Sequence, residues 1–212
     1  GAGSANAELR TVLRLGWPNS VNLFLTFLPG LVMLHFLGSN ADHAAAAGMG
    51  FMFTNVVGMS LIMGFGSGAQ PLISQAFGAR NFPRCGDLLQ RQLAIHVLLV
   101  AFLAGVWWNT EQILASLRQP PHIAALAGQF VRWRVAALPF LVLREDLNNY
   151  LVAQNVMHFP MFASVLASLV NLAGFAVFIP RLGFVGSALA YTIANIFQAL
   201  ALLLFSRCAL PA

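Results

Sequence analysis

Charged residues are scarce in this sequence, and lysine is absent. The 212 residues include 11 basic residues, all of them arginine, and 6 acidic residues, so that only 8% of the chain is charged. A water-soluble surface needs charged residues at roughly a quarter to a third of its positions. Apolar residues make up 59% of the chain, and this excludes a disordered protein, because disorder requires low hydrophobicity. The composition therefore predicts a polytopic membrane protein.

Several kinds of chemistry lack the residues they need. The two cysteines, Cys85 and Cys208, are too few for a disulfide framework or a zinc site. We expect both to face the cytosol and to stay reduced. The arginines occur singly or in pairs, which excludes a basic patch for nucleic acid. The five histidines lack metal-ligand spacing, and we expect no metal, no cofactor and no enzyme activity.

Long uncharged segments divide the chain into six predicted membrane spans. A membrane-spanning helix needs about 20 predominantly apolar residues. We predict spans at Gly16–Leu37, Ala46–Phe77, Leu88–Trp108, Ile123–Gln154, Phe159–Ile179 and Val185–Phe205. The connections are short and contain Gly and Pro, which leaves no room for a soluble domain. The predicted organisation is a cytosolic N-terminal segment (1–14), a single six-helix transmembrane lobe (15–206) and a cytosolic tail (207–212).

The distribution of arginine predicts how the chain lies in the membrane. If the N-terminus is cytosolic, seven arginines fall on the cytosolic side and four on the opposite side. Cytosolic connections carry the excess of basic residues, so both termini are predicted to be cytosolic. The cytosolic group is Arg10, Arg14, Arg80, Arg84, Arg91, Arg144 and Arg207, and the other is Arg118, Arg132, Arg134 and Arg181.

The fourth predicted span carries most of the charge within the spans. We expect Arg132 and Arg134 to snorkel to the outer interface. The triplet Arg144-Glu145-Asp146 is predicted to lie within or at the edge of the inner leaflet, where charges are costly unless they face protein or a wet cavity. Either the triplet lines a polar cavity, with a titrating carboxylate, or it is self-neutralised, with Arg144 paired to a neighbouring acid. Pro139 predicts a kink in the same span.

Small and uncharged polar residues are also concentrated in the spans. Glycine lets helix backbones approach closely, and the candidate packing positions are Gly64, Gly66, Gly68 and Gly186. Gln70, Asn149 and Asn171 are candidates for lining a substrate path. Each could equally form a hydrogen bond with a neighbouring helix.

Five blocks of sequence resemble the multidrug and toxic compound extrusion (MATE) family. They occur in the family's order from about Leu9 to Phe205, and their sequences are closer to those of eukaryotic members. The blocks are Leu15-Gly-Trp-Pro18; Gly64–Ala79 followed by Leu88-Leu-Gln-Arg91; Arg118–Ala127 followed by Leu138-Pro139; Asn149–Gln154 with Pro160 soon after; and Leu182–Ala190.

The resemblance implies twelve helices in two six-helix lobes around a central cavity. It also implies export of organic cations or other xenobiotics and metabolites in exchange for H⁺ or Na⁺. This chain resembles the N-terminal lobe. We therefore expect a fragment, a truncated product or a half that pairs with the missing C-terminal lobe or with a second copy. The membrane is expected to be the plasma membrane or the vacuolar membrane.

The chain departs from the family pattern at two positions that bear on ion coupling. Relatives with an N-lobe cation site carry aspartates where this chain has Met33 and Phe175, although Asn171 matches the pattern. Glu145 and Asp146 are our hypothetical replacements as proton carriers. The candidate cavity residues are therefore Gln70, Glu145, Asp146, Asn149 and Asn171.

Three other functions stay open at this point. One is a lipid-linked sugar flippase of the same superfamily, which the few mid-span arginines disfavour. Another is an inactive half-transporter. The third is an intramembrane serine hydrolase centred on Ser67 in a Gly-Ser-Gly motif, which would need a base within hydrogen-bond reach of that hydroxyl.

Overall fold

The chain folds as a bundle of α-helices in a computed structural model that describes residues 2–38 and 40–209. No strand occurs among these residues. A π-helical segment, Thr54–Met59, joins α2 to α3 without a loop. The helices are α1 (Ala2–Leu37), α2 (Ala41–Phe53), α3 (Ser60–Gly78), α4 (Phe82–Trp108), α5 (Thr110–Ser116), α6 (Pro121–Val135), α7 (Leu138–Ala153), α8 (His158–Leu182) and α9 (Phe184–Ala209).

The helices confirm the predicted all-α membrane fold. Five helical segments are long and apolar enough to cross a bilayer, and the pair α6 and α7 makes a sixth crossing if it counts as one span. The five are Gly16–Leu37, Ala41–Gly78, Phe82–Trp108, His158–Leu182 and Phe184–Ser206. The side chains of 1–15 and 207–212 lie outside the described part, as does the prediction for Cys208.

The fourth span is broken, whereas we predicted one kinked helix. α6 and α7 meet at an angle of 61°, and the break falls at Ala136 and Ala137, just before Pro139 in the first turn of α7. Proline lacks an N–H and is tolerated in a first turn. The span therefore restarts at this proline instead of bending through it.

Two helix starts were placed too late by the hydropathy argument. α4 begins at Phe82 because the Asn81 side chain accepts a hydrogen bond from the backbone N–H of Arg84 and Pro83 occupies the first turn. α2 begins at Ala41 because the Asn40 side chain caps the N–H groups of Asp42 and His43. Polar caps, rather than the start of the apolar run, set both boundaries.

The main core lies in the half of the bundle that contains the α4–α6 connections. Met33, Leu103, Trp107, Phe130 and Phe175 are fully buried there, on four different helices. Met33 and Phe175 are the two positions at which the resemblance implies carboxylates in relatives with an N-lobe cation site. In this chain both side chains belong to the apolar core.

The four glycines predicted to pack between helices behave differently. A side chain on Gly186 would collide with the backbone carbonyl of Phe178 in α8, so α8 and α9 cross closely there. A Cβ on Gly66 would lie 2.7 Å from Nδ2 of Asn149. Gly64 and Gly68 are exposed, and no atom lies within 4 Å of a Cβ built on either one. At these two positions the described residues show no close helix contact, and their role in packing stays a prediction.

Cys85 is buried, whereas we predicted that it faces the cytosol. It lies near the start of α4, in a small cluster with Ile73, Ala76, Tyr150 and Ala153. The helix start at Phe82 places Cys85 in the first turn, on the side that packs against α3 and α7.

Candidate functional site

A polar cleft opens between α1, the π-helical segment, α3, α7 and α9. It contains about 950 Å³ of empty space, counting its open mouth. Such a concentration of polar groups is unusual in an apolar bundle, because polar side chains are costly in the membrane unless they face protein or water. Its polar lining is Asn22, Thr26, Asn55, Gln70, Arg144, Glu145, Asn148, Asn149 and Gln198, and its apolar lining includes Phe27, Met59 and Met63.

A chain of hydrogen bonds holds one wall of the cleft together. The Asn22 side chain donates to Oδ1 of Asn148 at 3.1 Å, and it accepts a hydrogen bond from the Ser164 hydroxyl. Gln198 donates to the Ser164 hydroxyl at 2.8 Å. These four residues belong to α1, α7, α8 and α9, so the network fixes the relative positions of four helices.

The Arg144 and Glu145 side chains form an ion pair at the cleft wall. Nη2 of Arg144 lies 3.3 Å from Oε2 of Glu145, and both residues are buried. The pair is nearly neutral in sum, although Nε of Arg144 has no hydrogen-bond partner among the described residues. Both interpretations of the triplet therefore apply in part: Arg144 pairs with the neighbouring acid, and the pair lines a polar cavity.

Asp146 lies behind the cleft wall and does not line it. Its carboxylate contacts Nδ1 of His96 in α4 at 2.8 Å, and the side chains of both residues are completely buried. The Gln92 amide nitrogen lies 3.2 Å from Nε2 of the same ring. The helical repeat separates Asp146 from Glu145 by about 100°, which turns the two carboxylates toward different neighbours.

The remaining candidates divide between two neighbouring spaces. Gln70 and Asn149 line the cleft with Glu145. Asn171 is buried in an adjacent pocket that also contains Arg144 and Gln198. Its Oδ1 atom has no hydrogen-bond partner among the described residues. Arg144 and Gln198 thus separate the two spaces.

Arg134 corrects the prediction that it snorkels to the outer interface. It is 1% exposed, and its guanidinium donates to the Thr54 hydroxyl. The surrounding rings stabilise the charge by cation–π contacts. Their distances from the guanidinium carbon are 4.3 Å for Tyr191, 5.4 Å for Phe51, 5.7 Å for Phe130 and 5.8 Å for Trp107. Arg132, by contrast, is partly exposed and pairs with Glu111 at 2.8 Å.

Several polar residues at the cleft and beside it were not among the residues predicted from the sequence. Asn22 is one of several polar residues in the first apolar span, and His96 is a titratable residue in the middle of another. Polar residues within spans were a usable signal. Among the described residues, no group of three or more His, Cys, Asp or Glu side chains is arranged to hold a metal ion.

The fold and cleft define one six-helix lobe of a membrane transporter fold, and the comparisons identify the family. The MatE family model matches residues 18–177. This chain therefore belongs to the MATE family.

Curated relatives cover nearly all of this chain but extend well beyond it. Protein DETOXIFICATION 51 of Arabidopsis thaliana is 32% identical over 91% of this chain and 37% of its own length. Multidrug and toxin extrusion protein 2 of Mus musculus is 31% identical over 93% of this chain and 35% of its own length. The chain thus spans little more than a third of these relatives.

Solved structures support the fold. The eukaryotic MATE transporter AtDTX14 superposes with a TM-score of 0.87, at 20% identity, over 94% of this chain and 46% of that one. A MOP superfamily transporter from Pyrococcus furiosus superposes with a TM-score of 0.82, at 21% identity, over 92% of this chain and 44% of that one. The chain corresponds to about half of each structure, which agrees with a single lobe.

Proposed function

We propose that this chain forms one lobe of a secondary active exporter for organic cations or other amphipathic xenobiotics and metabolites. The coupling ion is H⁺ or Na⁺. The observation that carries the proposal is the cleft, in which a carboxylate and several amides face an open space inside an apolar bundle. Transporters built from repeats bind their substrates between the repeats, and this cleft supplies one side of such a site.

The lining suits molecules with both apolar and polar parts. Phe27, Met59 and Met63 offer apolar surface, and methionine adapts to ligands of different shape. Gln70 and Asn149 offer amide donors and acceptors. Glu145 supplies negative charge, which Arg144 offsets in the absence of a substrate.

The open side of the cleft implies a second structural unit. We infer that the partner is a C-terminal lobe or a second copy of this chain. The lobe would lie in the plasma membrane or the vacuolar membrane, with cytosolic termini, as the arginine distribution predicts.

The alternative functions find less support in the site. A flippase for lipid-linked sugars needs free cations for a phosphate group, but the arginine of this cleft, Arg144, is paired with Glu145. A hydrolase needs a base at Ser67, but this hydroxyl donates to the Gly64 carbonyl at 2.9 Å. The histidine of the neighbouring α4, His96, is bonded to Asp146.

Transport by the 212-residue chain in proteoliposomes tests the proposal. A fluorescent organic cation is the substrate, and a pH or Na⁺ gradient is the driving force. We expect gradient-dependent uptake that Gln70→Ala reduces at least about threefold, because a lost hydrogen bond is worth about 1 kcal/mol. Gln129→Ala, at an exposed position outside the cleft, is the matched control and should leave uptake unchanged. No uptake by correctly inserted protein would contradict transport by this chain.

A further inference from the structure

A histidine and an aspartate are paired inside the bundle, away from any bulk water. The His96 ring and the Asp146 carboxylate lie 2.8 Å apart, and neither side chain is exposed. They come from α4 and α7, 50 positions apart in the sequence. Among the described residues, this carboxylate has no hydrogen-bond donor besides the histidine ring. The two groups therefore depend on each other for their state of charge.

The surroundings leave this pair electrically isolated. α3, which packs against both α4 and α7, has no titratable or charged side chain. On α7, Arg144 and Glu145 pair with each other and line the cleft. On α4, Arg91 is exposed and Cys85 packs in a separate cluster with Tyr150. The other charged or titratable side chains on packed elements, among the described residues, are Arg84 and Asp87 on α4, Glu111 on α5, His122, Arg132 and Arg134 on α6, His158 and Arg181 on α8 and Tyr191 on α9.

Because the pair has no other charged partner, binding or release of one proton changes its net charge. With the proton bound, an imidazolium faces a carboxylate and the net charge is zero. With the proton released, a neutral ring faces an uncompensated carboxylate in a dry environment. Burial favours the proton-bound state, in which the pair has no net charge, while a nearby cation favours release of the proton. A positively charged substrate in the cleft would therefore compete with the proton.

Gln92 lies beside the ring of His96. Its amide nitrogen is 3.2 Å from Nε2 and 3.4 Å from Nδ1 of that ring. An amide N–H can donate to Nε2 of a neutral ring, and after a flip of the amide its oxygen can accept from the N–H of an imidazolium. The Gln92 amide can therefore serve as a hydrogen-bond partner in both protonation states.

Gly66 in α3 lies between a residue of the cleft and the pair. A Cβ on Gly66 would be 2.7 Å from Nδ2 of Asn149, which lines the cleft, and 4.0 Å from Cε1 of His96. A residue without a side chain therefore stands between the cleft-lining amide and the histidine ring.

We propose that His96 and Asp146 form a site that binds and releases one proton through the cleft. Its use as the coupling site rests on the proposed export function. The ligand chemistry favours H⁺ over Na⁺ here, because a hard cation requires several oxygen ligands and the Asp146 carboxylate faces a nitrogen ring. On release, the proton leaves a ring nitrogen of His96 for cleft water, and the carboxylate keeps its charge.

Nitrogen NMR of the histidine rings tests proton binding without any transport. The 212-residue chain is labelled with ¹⁵N-histidine in lipid nanodiscs and titrated from about pH 5 to about pH 9. His96 is identified by its loss in His96→Gln, or, if that variant does not fold, by protection from a paramagnetic agent, since it is the buried histidine among five. We expect its ring signals to report the binding and release of one proton as the pH changes.

Asp146→Asn and Asp42→Asn form a matched pair of variants. Asp146→Asn removes the carboxylate that contacts the His96 ring, so the His96 signals should differ from those of the wild type across the titration. Asp42→Asn changes the exposed pair of Asp42 and His122, which are 3.6 Å apart, and should leave His96 unchanged. A His96 ring with one charge state across the whole range, in wild type and Asp146→Asn alike, would overturn the proposal.

Flux measurements then separate the two proposals. Asp146→Asn should abolish accumulation driven by a pH gradient and retain downhill flux of the fluorescent cation. Undiminished gradient-driven accumulation in this variant would refute a coupling role for the pair. Absence of flux in the wild type would contradict transport by this chain without a C-terminal lobe, and the titration would still decide whether the pair binds a proton.

Discussion

At the scale of single residues, the bundle buries its two interior arginines in different ways. Arg144 has a carboxylate partner in Glu145, on the wall of a polar cleft. Arg134 has aromatic rings and the Thr54 hydroxyl around it, in the apolar half of the bundle. A weakly hydrated, planar guanidinium suits both environments better than an ammonium, which agrees with a chain whose basic residues are all arginine.

The buried ion pair should contribute far more to stability than an exposed one of better geometry. Glu145→Gln leaves Arg144 buried without compensation, and we expect the free energy of unfolding to fall by about 3 kcal/mol. Glu111→Gln breaks the Arg132 pair, which is shorter at 2.8 Å but about 40% exposed, and should change the free energy by less than about 1 kcal/mol. Denaturant unfolding in detergent measures both. Equal losses would show that the Arg144 pair is solvated through the cleft.

Replacement of Arg134 by an apolar residue should lower the stability less than replacement by lysine. Arg134→Met keeps the apolar contacts and removes a buried charge, so we expect near wild-type stability. Arg134→Lys keeps the charge but loses the planar stack on Tyr191, and it should lower the free energy of unfolding by about 1–3 kcal/mol. The same denaturant unfolding assay compares the two variants. A Met variant less stable than the Lys variant would show that the charge itself is required.

Sequence reasoning found the residues near each other in the chain and missed their distant partners. The pairing of Arg144 with Glu145 follows from adjacency. The pairing of Asp146 with His96 depends on how α4 packs against α7, and no local pattern encodes that. The burial of Arg134 likewise depends on aromatic residues from four different helical segments.

At the scale of helices, hydropathy predicts the spans but not their interruptions. The bend between α6 and α7 had a signal in Pro139, although the break itself falls at two alanines. The π-helical segment Thr54–Met59 had no such signal, because its residues fit an ordinary helix. There the Asn55 side chain bonds to the Phe51 carbonyl at 3.0 Å, and Gly58 lies against the Trp107 ring. π-helical turns often occur at functional sites, and Asn55 does line the cleft.

Close contact between α8 and α9 makes Gly186 the most sensitive of the four candidate glycines. Gly186→Ala would drive a methyl group into the backbone of Phe178, which cannot move as a side chain does. We expect a loss of about 1–3 kcal/mol or more in unfolding free energy. Gly64→Ala, with no atom nearby, should be neutral or more stable by about 0.5–1 kcal/mol because alanine favours helix. Unfolding in detergent distinguishes them, and equal effects would refute the close crossing.

At the scale of the whole molecule, the positions of charge and apolar surface describe a lobe with two different ends. α4 has 27 residues and is therefore about 40 Å long, enough to separate the connection after α3 from the connection after α5 by a full bilayer. Arg80 and Arg84 lie near the first end, and Arg118 lies at the other. Arg134 and Arg144 are both buried, so each predicted side loses one arginine, and the count of seven against four becomes six against three. The predicted asymmetry therefore remains.

Cysteine labelling from one side of the membrane should reveal this orientation. Ala79→Cys, between α3 and α4, and Ser116→Cys, at the end of α5, are both exposed and lie at opposite ends of α4. Each is placed in a chain with Cys208→Ala, since the remaining Cys85 is buried at 1% exposure. An impermeant maleimide added to intact cells should label Ser116→Cys alone and reach Ala79→Cys only after the membrane is opened. The reverse pattern would place the cytosol at the α5–α6 end and would contradict the orientation that the arginine distribution predicts.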